Sequence, residues 1–196
     1  MITIDASKLQ EVEQRLGEFR KKAPVVLYRA INRAAANLRT NAAKEVRNTY
    51  IVKASMVKST FSISNASSKK LQATVTSRGA ALGLEQFKVS PKQPKPAKPP
   101  KNLKVQVRSD TGIKSLLSAF VASVQGNRVF ERVEGKTSRK KRSDGQWTEL
   151  PIRRLFGPPV PIMLENSGVR STLEEEANKV FERRLDHEIK RVLEGN

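Results

Sequence analysis

The chain contains no cysteine, one tryptophan, one histidine and two tyrosines. Without cysteine there are no disulfides, thiolate nucleophiles or cysteine-ligated metals. The one histidine, His187, lies between Asp186 and Glu188 in a helical pattern and reads as a surface position. It has no second histidine at a metal-binding spacing. Nor does any Gly-x-Ser-x-Gly elbow offer it a nucleophile to activate. RGAALG at 78–83 lacks the lysine of a phosphate-binding loop and the helix that should follow. No apolar run approaches the ~20 residues of a membrane-spanning helix. The opening MITIDASKLQEVEQRL carries charge every few residues, so no secretory signal is expected there. Enzymatic activity and a bound cofactor or metal are therefore not expected.

Acidic residues are also scarce. There are 19 of them against 38 Lys+Arg, a net charge of +19. A field of that size selects for a polyanionic neighbour, either nucleic acid or an acidic protein surface. The excess is localised. Residues 24–60 hold seven bases and one acid, 88–108 hold seven bases and no acid, and 136–142 (KTSRKKR) hold five bases and no acid. The stretch 170–196 is near balance, with six bases and seven acids. Aromatics make up only 5% of the chain, and the basic loops contain none but Trp147, so a base-stacking platform is not expected.

Apolar periodicity supplies the elements. Leu9, Val12, Leu16 and Phe19 predict an amphipathic helix over 6–22. Leu27, Ile31, Ala34, Ala35, Leu38, Ala42 and Val46 predict a long helix over 24–48, with Pro24 in its first turn and Arg29, Arg33, Arg39, Lys44 and Arg47 off the apolar stripe. VKASMVKSTF predicts about two further helical turns. A helix-turn-helix reading of this region fails because the preceding helix is too long. LQATVTS, GLEQFKVS and LKVQVRS alternate as strands. SLLSAFVASVQGNRVFERV predicts a hairpin of 116–124 and 128–133, with a helix over 113–124 as the competitor. A final helix follows, its buried stripe being Leu173, Ala177, Val180, Phe181, Leu185, Ile189 and Val192. Ser171 and Glu174 are spaced as a capping box at its start. The expected class is α+β, one domain over 1–196. Its N-terminal helices and C-terminal helix would pack on an antiparallel sheet.

Two segments interrupt the pattern. KVSPKQPKPAKPPKNLK, 88–104, has five prolines and six lysines and reads as an extended polyproline-like arm. EGKTSRKKRSDGQWTE, 134–149, reads as a polar loop. Lys92, Lys95, Lys98, Lys101 and Lys104 of the arm, with Arg139, Lys140, Lys141 and Arg142 of the loop, are the candidate contacts to nucleic acid or an acidic partner.

LFGPPVP at 155–161 poses a separate problem. Its apolar side chains call for burial, while Gly157, Pro158, Pro159 and Pro161 should forbid helix and interrupt any central strand. A rigid docking loop satisfies both demands. Leu155, Phe156, Pro158, Pro159, Val160, Pro161, Ile162 and Met163 would then lie against the sheet or a neighbouring subunit.

Three blocks carry a resemblance: VLYRAINRAAANLRTNAAKEVRNTYIVKASMVKSTFSI, LFGPPVPIML and VFERRLDHEIKRVL. In that order and spacing, from about residue 24 to 194, the chain resembles the prophage minor tail protein Z family of long-tailed phages. The resemblance implies a non-enzymatic virion protein that completes the tail near its head-proximal end, where DNA passes. It also implies a homo-oligomeric ring related to the tail's sixfold symmetry. Its neighbours would be tail terminator, tail tube or head–tail connector proteins. The expected location is the virion tail or neck, reached from the host cytoplasm during assembly. The arm and the basic loop contribute nothing to the likeness. The alternative is a basic protein that binds nucleic acid without sequence preference.

Overall fold

Seven apolar residues at helical spacing are enough to commit the N-terminal half to one long element, and the structure extends it. The computed structural model describes residues 2–5, 8–95, 102–133 and 152–195. Within it the chain is α+β, with strands distributed among several small antiparallel sheets rather than one. It separates into two units, the first built from 1–48, 53–80 and 160–196, the second from 49–52 and 81–159.

Among the described residues all five α-helices belong to the first unit, α2 ending with one residue of the second: α1 (Leu9–Leu16), α2 (Ala23–Thr49), α3 (Ala54–Ser59), α4 (Val160–Glu165) and α5 (Ser167–Leu193). Gly17, at φ 53, ends α1 earlier than the periodicity predicts, and 17–22 continue as a tighter 3-10 turn. α2 buries eleven residues on one side, including Leu27, Ile31, Leu38 and Val46. α5 buries Val169 and six of the seven stripe residues expected, Val192 being only half-buried. Each fully buried leucine or isoleucine on these stripes contributes about 1.5–3 kcal/mol. β1 (Ile2–Asp5), β2 (Phe61–Ser64) and β3 (Gln72–Ser77) form a sheet in the order β1–β3–β2. Ala73 and Val75 point inward from its central strand. Asn32 of α2 pins the chain beyond β2, donating to the Ala66 carbonyl at 3.0 Å and accepting from the Ala66 N–H at 2.7 Å.

Two local expectations are corrected here. The capping box does not form. α5 begins at Ser167, four residues earlier, so Glu174 sits beyond its first turn; the Ser171 hydroxyl bonds the Gly168 carbonyl, and Glu174 is taken by Arg170 at 2.8 Å. Pro161 does not forbid helix. It is the second residue of α4, where an amide has no intrahelical acceptor to lose.

The second unit is made of short strands, and the strand expected over GLEQFKVS is broken by a 3-10 turn at Leu84–Gln86. β4 (Leu82–Gly83) pairs with β11 (Phe156–Gly157). β5 (Lys88–Ser90), β6 (Leu103–Gln106) and β7 (Lys114–Leu116) form one sheet. β8 (Ala119–Ser123), β9 (Asn127–Arg132) and β10 (Ile152–Arg154) form another. The hairpin reading of this region holds and its helical competitor does not. A three-residue link with Gln125 and Gly126 at positive φ turns β8 into β9. Both ends of the expected 88–104 arm are strand. Val89 and Leu103 are buried, and the alternation of exposed lysine with buried apolar residue draws 88–90 and 103–104 into a ladder. The α2–α3 connection adds main-chain bonds: Ile51 N–H donates to the Val107 carbonyl and Ser109 N–H to the Thr49 carbonyl, both at 2.9 Å.

Candidate polyanion-binding surfaces

β6 alternates Leu103, Lys104, Val105 and Gln106, so its leucine and valine turn inward while Lys104 stands on the outer face. The register sets Ser90, Lys104 and Ser115 side by side across three strands. Lys88 joins the same face and donates to Gln106 Oε1 at 3.3 Å, while Gln106 Nε2 donates to the Thr111 carbonyl at 3.0 Å. Lys92 and Lys95 follow β5 and are exposed. Of the sequence candidates, Lys98, Lys101, Arg139, Lys140, Lys141 and Arg142 lie outside the described residues.

Every described carboxylate of this unit is engaged by an arginine. Arg108 grips Asp110, with Nε 2.8 Å from Oδ1. Arg153 binds Glu131, and Arg154 binds Glu85. The hydrogen bond from Arg108 pulls the Asp110 carboxyl below its ordinary range. Three arginines thus neutralise the described acids, and the lysines carry most of the surplus. Lys88, Lys92, Lys95, Lys104 and Lys114 have no carboxylate partner among the described residues.

In the first unit the acids of α5 also lie beside lysines or arginines, though Glu188 Oε2 is buried without a hydrogen bond. Lys8 meets Glu182 at 2.6 Å, a hydrogen bond that raises the Lys8 pKa, and Arg15 meets Asp186 at 2.6 Å. Glu175 is held by Lys179 at 2.7 Å and titrates low for that reason. The solvent side of α2 differs. Arg33, Lys44 and Arg47 are exposed and, among the described residues, have no carboxylate partner. Arg29 lies 3.7 Å from Glu188, which it shares with Arg191 at 3.9 Å. Arg39 instead donates to the Lys58 carbonyl. Sequence reasoning placed these residues off the apolar stripe without treating them as a site. The signal was the spacing of Arg29, Arg33, Lys44 and Arg47, at four, eleven and three residues, which returns all four to one exposed face.

The proline-punctuated segment divides its residues. Val160 and Met163 are fully buried in the first unit. Ile162 is 56% exposed and Phe156 52% exposed, with the Arg154 guanidinium 5.0 Å over the Phe156 ring. Leu155, Pro158, Pro159 and Pro161 are half-buried.

Two clefts accompany these surfaces. One of about 140 Å³ in the first unit is lined by Leu38, Phe61, Val75, Leu164 and Leu173, with Arg170 also at its wall. One of about 390 Å³ in the second is lined by Tyr50, Leu84, Val105 and Leu116, with Arg108 and Lys114 contributing charge. His187 is exposed near the end of α5. Among the described residues no cluster of three or more His, Asp or Glu could hold a metal ion, and no helix is long and apolar enough to cross a membrane. Comparison with known proteins finds no matching family model, no curated relative and no similar solved structure.

Proposed function

We propose that this chain is a structural virion protein of a long-tailed phage or prophage. In this reading it is a tail-completion protein that forms a ring at the head-proximal end of the tail, non-enzymatic and in contact with passing DNA. The observation that carries the reading is the placement of the three resembling blocks. Apart from 49–52 and 155–159 they make up the helical framework of the first unit: α2, α3, β2, α4 and the second half of α5. The described ends of the lysine–proline arm, β5 and β6, belong to the second unit, as a local elaboration on a shared frame should. Phe156 and Ile162 supply exposed apolar contacts for a neighbouring subunit or tail protein.

The test is electron microscopy of an induced lysate lacking this gene. Tails defective at the head-proximal end, or heads and tails left unjoined, are expected. Normal, infectious particles would overturn the reading and leave sequence-independent nucleic-acid binding as the function, which the unpaired cations on both units favour.

A further inference from the structure

The second unit offers lysines on a small sheet, but the longest cationic face is on α2, where Arg29 alone has a carboxylate nearby, Glu188 at 3.7 Å. At 3.6 residues per turn, positions 29, 33, 36, 40, 44 and 47 fall within a sector of about 80°. That sector reads Arg29, Arg33, Ala36, Thr40, Lys44, Arg47, and all six residues are exposed. It is cationic at both ends and small and neutral in the middle. Glu45, the one acid of the helix, points elsewhere and accepts from Asn48 at 3.2 Å. Arg33 and Lys44 are about 16 Å apart along the axis, and Arg29 and Arg47 about 27 Å.

We propose that this face of α2 docks on the backbone of double-stranded nucleic acid, independently of sequence. The helix would cross a groove, with Arg29 and Arg33 on one phosphate row and Lys44 and Arg47 on the other. The major groove is about 12 Å wide, and side chains 16 Å apart reach its two rims. Ala36 and Thr40 let the helix body approach the groove between them. An acidic protein surface has no comparable reason to match two cation pairs separated by a bare middle. A single strand would want aromatic platforms, and this face has none. Apart from Arg29, 3.7 Å from Glu188, no side chain in the sector is held by a second polar group for base-edge readout, so the contact is electrostatic. The inference rests on the proposed passage of DNA only for its biological setting. Binding by purified protein is measured without virions, so either proposal can fail while the other stands.

The experiment is fluorescence anisotropy of the full-length protein with a labelled 30-base-pair duplex of mixed sequence, from 50 to 200 mM NaCl. Each neutralised phosphate adds about 0.9 to the slope of log affinity against log salt. The triple variant Arg33→Gln, Lys44→Gln, Arg47→Gln should lose about 2.7 of that slope, so its affinity varies some 40-fold less over this salt range. Arg33→Lys with Arg47→Lys should keep the wild-type slope, because charge and not fork geometry is required. Lys88→Gln, Lys104→Gln, Lys114→Gln removes the same charge from the second unit and should change the slope less. Equal losses from the two triple variants would reduce the effect to net charge and overturn the proposal. So would an unchanged slope in the α2 variant, or wild-type binding to polyglutamate in preference to the duplex. Circular dichroism at 222 nm checks that each variant is folded.

Discussion

Replacing Asn32 tests whether one side chain holds the chain beyond β2 against α2. Its amide reads the peptide of Ala66 from both sides, at 3.0 and 2.7 Å, and Ala66 is only 6% exposed. Asn32→Ala removes two hydrogen bonds, each contributing about 0.5–1.5 kcal/mol net. It also leaves an N–H and a carbonyl without their partner in a shielded place. The expected loss is about 2 kcal/mol. With a urea m-value of about 2 kcal/mol/M, the midpoint should fall by about 1 M. Asn32→Asp should lose a similar amount, because one oxygen still accepts from Ala66 N–H while the other faces the Ala66 carbonyl. Every described α-helix but the last residue of α2 belongs to the first unit, so ellipticity at 222 nm follows the unit that Asn32 serves. Wild-type midpoints for both variants would refute the reasoning. Since Asn32 lies between Arg29 and Arg33 but off their sector, the salt slope for duplex binding should be unchanged in native buffer.

Other perturbations bear on the second unit. In Gly157→Ala the new methyl would sit 2.6 Å from the buried Phe87 ring. A cost of about 1–3 kcal/mol is expected in thermal unfolding, and an unchanged melting temperature would count against the packing described. Glu85→Ala strands Arg154 in a half-buried site and should cost more than the ~1 kcal/mol typical of surface pairs; a smaller loss by denaturant titration would make the pair a surface contact. The Asp110 carboxyl, lowered by Arg108, stabilises the folded state above its unfolded pKa, and that contribution disappears as pH falls through the folded value. An NMR titration should find its midpoint below the ordinary aspartate range and returned to it by Arg108→Gln; no return would exclude Arg108 as the cause. Replacing 92–101 by a short turn should leave β5 paired with β6, since Ser90 and Lys104 already face each other; loss of the folded state would make the arm part of the core.

The long elements were legible because their apolar residues repeat over many turns. α2 and α5 each span 27 residues, so a few ambiguous positions cannot hide the period. Ends were harder. Ser171 and Glu174 have capping spacing, but Arg170 competes for Glu174 and the helix continues back through Gly168. β10 and β11 have three and two residues, too few to alternate, and β11 finds its partner more than 70 positions earlier. Such strands are defined by tertiary pairing rather than by their own composition. The lysines were legible as charge. That Arg108, Arg153 and Arg154 would neutralise the described acids of the second unit and leave its lysines without carboxylate partners depends on geometry that no local pattern encodes.

The segment LFGPPVP also has a topological consequence. Residues 81–159 interrupt the first unit between Ala80 and Val160, and the points of departure and return are neighbours: a methyl on Gly79 would lie 3.9 Å from Pro161 Cδ. Within the excursion itself, β4 and β11 zip its two ends together. The second unit is therefore a cassette held at its neck by a clasp. Closing a loop of about 70 residues costs close to 4 kcal/mol, more than a two-residue ladder returns. The clasp must borrow stability from the bonds beside it, Leu84 N–H to the Leu155 carbonyl and Leu155 N–H to the Val129 carbonyl, and from the Glu85–Arg154 pair. A cassette with adjoining ends can be lengthened, exchanged or recharged without re-threading the helices of the first unit. Apart from the short α2–α3 link, a lineage could remodel its partner contacts there while the frame stays the same.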